Sequence, residues 1–301
     1  MSDLSVITSG VEIKNFCNDF NWSSDADTLG IQFTFDSIKD IPEGAVVSML
    51  WSGKEYFRGI VLKQIQKRWT YSYLVQDYSF YLKNEEILQF NGQRTDEAII
   101  SIASKNYMQY EIDNIPTPVK QIYTGELTQT IDDMLDKAEK DQGVEYFKEI
   151  TSNILRVKKL DDMIITPKII LPKDVDIESS IEEMKNKITI ISGSDDNLSV
   201  VATAEDTSVQ DYYGVLSKVE SIDETDIAKA QNTANNLLSK LNKIFRSTSF
   251  DVIGVDGAEE IRANRKIYIQ LGNRLNAYCK IKSASHSLSK GYHKISMNLE
   301  W

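Results

Sequence analysis

Apolar and polar residues alternate through the first 85 positions. In residues 29–37 (LGIQFTFDS), Ile31, Phe33 and Phe35 interleave with Gln32, Thr34 and Asp36, the period of two expected of a half-buried strand. The segment ahead of it breaks at Gly10 and again at Ser23-Ser24-Asp25, and Pro42-Glu43-Gly44 signals a turn. AVVSMLW, YFRGIVLKQIQKRW and YSYLVQDYSFYL predict three further strands, with Gly53 supplying a hairpin bend. Short strands separated by tight turns predict a small antiparallel barrel or sandwich.

Between about residues 86 and 165 the period changes. Thr95-Asp96-Glu97 reads as a helix start, and Ile99, Ile102, Ala103 and Tyr107 fall on one face after it. Ile131, Met134, Leu135 and Ala138 predict a second helix, with Thr130 as N-cap and Gly143 as the stop. VEYFKEI and ILRVKKL flank Thr151-Ser152-Asn153 as a β-hairpin, completing a small α+β unit.

Strands return from about residue 166. Ser180-Ile181-Glu182-Glu183 matches a capping box and predicts a short helix before KITIISG. The longest helix is expected over residues 226–244, with Ile227, Ala230, Ala234, Leu237, Leu238 and Leu241 on one stripe. SFDVIGV, KIYIQLG, LNAYCKIKSASHSL and HKISMNLEW close the chain as strands. The predicted division is therefore 1–85, 86–165 and 166–301, a mainly β chain with an α+β insertion and one long helix.

Composition narrows the function. The chain has 301 residues and a formal net charge of -11, an acidity that argues against wrapping nucleic acid or binding an anionic membrane. Cys17 and Cys279 are far apart and form no metal or redox motif, so they read as reduced thiols in a cytoplasmic fold, with a disulfide as the other reading. The N-terminal MSDLSVITSG carries neither a basic nor an apolar signal region, and no apolar run reaches the roughly 18 residues of a membrane span.

Candidate chemistry is sparse. His286 and His293 flank the turn around Ser289-Lys290-Gly291. A loop centred between Ser289 and Lys290 makes them direct cross-strand partners, whereas Lys290-Gly291 as the loop makes them diagonal neighbours. Either arrangement reads as a packed or edge pair, since a zinc site needs further ligands. The adjacent acids Asp132-Asp133, Asp161-Asp162 and Glu259-Glu260 lack the separation of a glycosidase pair, and Asp195-Asp196-Asn197 reads as turn chemistry. P-loop, G-x-S-x-G and G-x-G-x-x-G patterns are absent. No catalytic residue, cofactor or metal ligand is assigned, and the chain does not read as an enzyme.

The aromatic ribbons remain. Trp51, Phe57, Trp69, Tyr71, Tyr73, Tyr78 and Tyr81 read as barrel core or subunit interface. Tyr56 and Phe57 point to opposite faces of one strand and cannot form a single stacking platform. A carbohydrate-binding face and a tail-associated cell-wall hydrolase are the rival readings.

The succession of segments resembles baseplate hub proteins of contractile phage tails and phage-like bacteriocins, the late control protein D group, and the base of type VI secretion spikes. FNWSSDADTLGIQFTF, GAVVSMLWSGKEYFRGIV, VQDYSFYLKNEEILQFNGQRTDEAIISIA, SSIEEMKNKITIISG, Tyr213-Gly214 and YCKIKSASHSLSKGYHKISMNLEW carry the likeness over nearly the whole chain. The sequence reads without an appended lysozyme domain, so any such activity is expected of a partner. The resemblance implies two antiparallel β-barrels like tail-tube subunits in one chain. It further implies a homotrimeric, pseudo-sixfold ring that joins a threefold spike to a sixfold tube and nucleates that tube. Implied partners are the tail tube protein, the spike, other baseplate and LysM-type tail proteins, and a tape-measure protein in the lumen. Neither specific nucleic acid nor membrane is among them, and the place of action is the baseplate of a particle assembled in a bacterial cytoplasm. The net charge of -11 adds the expectation of a lumen lined with carboxylates that repels phosphate.

Overall fold

The two ends of the chain meet in one curled sheet in the computed structural model, which describes residues 4–194, 197–289 and 291–301. Asp195 and Asp196, Lys290 of the histidine turn and the first three residues lie outside the described residues. The fold is mostly β. The N-terminal lobe contributes Cys17–Asp25, Gln32–Ser37, Tyr71–Asp77, Lys54–Gln66, Val46–Trp51 and Leu4–Thr8, paired in that order, with the two-residue Val11–Glu12 at the edge. The C-terminal lobe contributes Phe245–Asp256, Tyr292–Glu300, Leu275–Ser289 and Lys266–Leu271, edged by short strands between 164 and 180. Pairing within this sheet is antiparallel among the described residues except where Ile164–Ile165 runs parallel to Lys266–Leu271.

Each lobe closes over its own apolar core. Phe33, Phe35, Val47, Met49, Phe57 and Tyr73 fill the first, and Val252, Ile269, Cys279, Ile281, Ile295 and Met297 fill the second. The alternation read along 29–37 is the cause, because Phe33 and Phe35 point inward while Gln32, Thr34 and Asp36 do not. Full burial of each such side chain contributes about 1.5–3 kcal/mol. The hairpin bend takes a type I′ form, with Ser52 at φ 50° and Gly53 at φ 77°, a twist that matches the flanking strands.

Two helix-bearing units lie between the lobes' strands. In the first, Glu85–Arg94 pairs with Pro118–Glu126, and Gln109–Ile112 joins the hairpin of Tyr146–Thr151 and Ile154–Lys159. Helices α1 (Thr95–Lys105) and α2 (Leu127–Gln142) bury Ile99, Ile102, Leu127, Ile131 and Met134 against them. In the second, Lys187–Ser194 lies between Asn197–Glu205 and Ser217–Ser221. The short helix α3 (Thr207–Tyr213) connects those two strands, and α4 (Ala230–Leu241) packs on the sheet through Ala230, Ala234 and Leu237. The units meet along α2 and α4, where Asn236 Nδ2 donates to Lys140 O at 3.0 Å and Lys240 pairs with Glu139 at 2.5 Å. Among the described residues no helix is long and apolar enough to cross a membrane.

Several local expectations are corrected. The Ser23-Ser24-Asp25 break is the end of a continuous strand, because all three residues pair with Ser283–Ser285 and Ser23 also pairs with Gln32 on the other side. Ser180–Glu183 forms a turn and no helix, with Ser180 Oγ accepting from Glu182 N at 3.1 Å, the two-residue bond with which serine competes against helix. Helix α2 starts at Leu127, ahead of Thr130, since Leu127 is buried and Thr128 Oγ1 donates to Leu82 O. The helix over 226–244 shortens to α4 behind a 3-10 turn at Glu224–Lys229, and α2 is the longest described helix at 16 residues. Ile227 is exposed, so the first predicted turn lacks the apolar burial that would extend the helix.

Gly30 gives the fold a direct test. Its φ is 100°, and a Cβ there would collide with Ser79 Oγ and Asp77 Oδ1. Gly30→Ala is expected to lower unfolding free energy by about 2–4 kcal/mol, read as a drop in the urea midpoint with the slope unchanged.

Candidate functional site

The lobes are joined by strand pairing between Cys17–Asp25 and Leu275–Ser289, with Asp25 opposite Ser283 and Phe20 opposite Leu288. On the inward face Trp22 lies opposite His286. Leu288 faces His293 and His286 faces Ile295, so the two histidines are diagonal neighbours, the Lys290-Gly291 alternative. Both are buried, with His286 Nδ1 2.8 Å from His293 Nε2 and His286 Nε2 2.6 Å from Ile261 O. A carbonyl only accepts, so His286 Nε2 carries the proton and Nδ1 accepts from His293 Nε2–H, an assignment from the network. Trp22 stacks on His286 at 4.6 Å, and Trp51 lies 5.1 Å from His293. Burial drives His286 down to about 3, helped by the adjacent imidazole, and His293 down to about 4. The pair is a neutral, packed part of the joint. Trp22 Nε1 is buried there with no hydrogen-bond partner among the described residues.

The opposite face of the joint is polar. Asn21, Ser23, Thr34, Ser285, Ser287 and Ser296 line a shallow groove of about 430 Å³, and Lys294 beside them pairs with Asp251 at 2.6 Å.

A second junction ties both lobes to the first helix-bearing unit. Glu149 on Tyr146–Thr151 receives Arg265 Nη2 at 3.0 and 2.8 Å, and Arg262 Nε lies 3.3 Å from the same carboxylate. All three residues are buried. Burial pushes the Glu149 carboxyl up, but the two guanidinium groups outweigh it and hold the group below its usual range. Arg262 Nη2 also donates to Ile150 O at 3.3 Å. The loop carrying both arginines is pinned on either side: Ala263 N donates to Ser24 Oγ at 2.9 Å, and Asn264 N to Ile281 O at 3.1 Å. Nearby, buried Asp77 caps the 3-10 helix Tyr78–Lys83 and accepts from Ile31 N at 2.6 Å and Ser79 N at 3.1 Å. Its burial pushes the carboxyl up.

The predicted aromatics divide among these places. Phe57 and Tyr73 are in the first lobe's core, with Phe57 5.6 Å from Phe33 and Tyr73 OH donating to Lys39 O at 2.8 Å. Trp51 is half-buried at the joint, and Tyr71 is partly buried beside Tyr73. Tyr78 packs against the core around α1 and α2 and stacks on Tyr81 at 5.8 Å. Trp69 stands 77% exposed at a hairpin tip, with Arg68 over its ring at 5.1 Å; it is not a core residue. Cys17 and Cys279 are free thiols. Among the described residues no three His, Cys, Asp or Glu side chains group to hold a metal ion. Trp22, Glu149, Arg262 and Arg265, which fix the junctions, have no motif spacing in the sequence; two arginines three apart between strand predictions are their one trace.

A family model described as YQBQ-like matches residues 20–300. The phage-like element PBSX protein XkdQ of Bacillus subtilis (strain 168) is 27% identical over 243 residues, covering 77% of this chain and 73% of that protein. The 43 kDa tail protein of prophage MuSo2 from Shewanella oneidensis has the same fold, at a TM-score of 0.71 and 14% identity over 99% of this chain and 98% of that one. A more distant likeness, with a TM-score of 0.50 and 7% identity, covers 98% of this chain and 76% of the E. coli c3393 protein. That protein is described as a type VI secretion component structurally similar to the T4 tail proteins gp27 and gp5.

Two outcomes follow from the junctions. Glu149→Gln leaves two buried guanidinium groups without their carboxylate, and an unfolding free energy lower by about 3–5 kcal/mol is expected in urea titration. The histidine pair sets a pH slope. Folding depresses both pKa values, to about 3 and about 4 from 6.5. The stability they contribute is therefore complete above about pH 6.5 and is lost as pH falls toward 4. With only the unfolded chain taking up both protons, the slope approaches about 2.7 kcal/mol per pH unit. A His286→Gln/His293→Gln double variant should show a flatter dependence over pH 4.5–6.5; parallel curves would contradict the assignment.

Proposed function

Taking as premise that the chain belongs to the YQBQ-like family, we propose that it is a structural protein of a phage-type tail. Within the tail it serves as the baseplate hub. Three copies form a ring, each copy supplying two tube-like lobes, so the ring meets a sixfold tube on one face and a threefold spike on the other. The carrying observation is the pair of lobes, each with its own core, held in one sheet across the Trp22–His286 joint. A cyclic assembly of three such chains presents six similar lobes, which is how a threefold object comes to match a sixfold one. The names of XkdQ and of the Shewanella protein, from a phage-like element and a prophage tail, support the setting. The T4 tail proteins named in the description of c3393 are consistent with a place in a tail-like assembly.

The role is mechanical, with no catalytic step assigned to this chain, and the place of action is a virion or phage-like particle. Its partners are further copies of itself, the tube protein, the spike and neighbouring baseplate proteins. The lumen falls to the polar face of the joint. Its hydroxyl and amide side chains offer a passing polymer neither an apolar anchor nor a field of one sign. That wall is more neutral than the net charge of -11 suggested, because Asp251 is paired with Lys294 and Asp36 with Lys67.

Light scattering over a concentration series decides the matter first. A species of three times the 34.2 kDa chain, seen as a ring by electron microscopy and able to seed polymerisation of the particle's tube protein, is the expected outcome. A 34.2 kDa species at every concentration, with no ring on addition of tube and spike proteins, would overturn it.

A further inference from the structure

Helix α1 ends in a way its sequence does not favour. Met108 N donates to Ala103 O at 3.0 Å and Tyr107 N to Ser104 O at 3.2 Å, the two bonds of a Schellman stop. The left-handed residue of that stop is ordinarily glycine, yet here it is Tyr107 at φ 56°. Met108 behind it is buried, while Tyr107 itself is 96% exposed. A bulky ring is thus fixed in solvent by a backbone conformation that disfavours it. Burial gives no reason for it, and such a departure points to function.

Tyr107 stands at the mouth of a cleft of about 520 Å³, a size typical of small-ligand sites. The stacked rings of Tyr78 and Tyr81 form another part of its wall. The cleft's two cations are already matched: Arg58 Nε donates to Glu55 at 2.9 Å, and Lys105 pairs with Glu86. The site therefore has no net charge with which to select an ion. Asn84 and Asn153 also line it, and their side-chain amides make no hydrogen bond among the described residues. An amide offers a donor and an acceptor side by side, the complement of a hydroxyl that does both. Tyrosine faces complement a flat C–H surface. A sugar ring carries both features in one neutral unit.

We propose that this cleft is a binding site for a neutral glycan chain, with Tyr107 as the stacking platform and Asn84 and Asn153 reading the ring hydroxyls. A proline-rich protein segment also seeks aromatic grooves, but its carbonyls only accept, which leaves the acceptor half of each amide unused. The site lies apart from the joint, and its occupancy does not depend on ring assembly.

The test is an NMR titration of the full chain with triacetylchitotriose and, separately, maltotriose. Saturable binding of at least one is expected, weakened about tenfold or more by Tyr107→Gly and unchanged by Trp69→Ala, which removes an exposed aromatic elsewhere. Tyr107→Gly should at the same time raise the melting temperature by about 1–3 °C, since glycine suits the left-handed position, so lost binding cannot be blamed on lost folding. Absence of saturable binding by both sugars overturns the proposal. So does binding that survives Tyr107→Gly, or capture of deca-proline by the same cleft in place of either sugar.

Discussion

The bond between Glu149 and the two arginines, Arg262 and Arg265, is the contact on which the arrangement of the chain depends. It is the place where a hairpin from the helix-bearing unit meets a loop of the C-terminal lobe that also bonds to Ser24 of the first lobe. Burying one carboxylate and two guanidinium groups costs several kcal/mol per ion before any attraction is counted. That cost is recovered only with full geometry, and here Arg265 makes a two-oxygen contact while Arg262 spends a further donor on Ile150 O. A slipped hairpin would leave charge buried and unpaired. Apolar surfaces tolerate small shifts; this cluster does not, and so it fixes where the unit sits.

The lobe joint works by a different rule. Backbone pairing along Cys17–Asp25 supplies continuity, and the inward side chains Trp22, His286 and His293 supply shape. An aromatic stack on a neutral imidazole needs no desolvated ion, and the hydrogen bond between the histidines consumes polar groups that would otherwise be buried unpaired. The outward side chains of the same strands remain short and polar. One strand pair therefore seals a core on one side and presents a smooth hydrophilic wall on the other, as period-two alternation requires.

How much of this was legible in the sequence depended on the range of the signal. The strand 32–37 and the residues inside α2 were readable because their pattern is local and one face is buried. Gly143, left-handed at φ 69°, was readable as a stop for the same reason. The Ser23-Ser24-Asp25 segment was misread because serines and an aspartate resemble a turn until a strand 260 positions away pairs with them. Residue type alone puts Trp69 in core or subunit interface without dividing the two; the hairpin tip that exposes it takes it out of the core. Glu149 with Arg262 and Arg265 was invisible, since residues more than a hundred positions apart leave no spacing to detect. Spacing alone places Tyr107 on a helix face, and only the backbone angle at the helix end shows that it belongs outside it.

These two junctions together account for a chain whose sheet is divided into two lobes but does not behave as two loose domains. A flexible linker between lobes would let each take any orientation, and six lobes in a ring would then lose orientational entropy at every contact. Pairing the lobes through shared strands removes that freedom at the folding stage. The buried ion cluster then fixes the helix-bearing unit to the same frame, beside further ties such as Ser152 to Glu55 and Lys280 to Glu145. In the ring proposed for this chain, that rigidity has a direct use. Orientation already fixed within each chain lowers the cost of forming every interface between chains, and pre-organisation of that sort raises affinity without adding a contact.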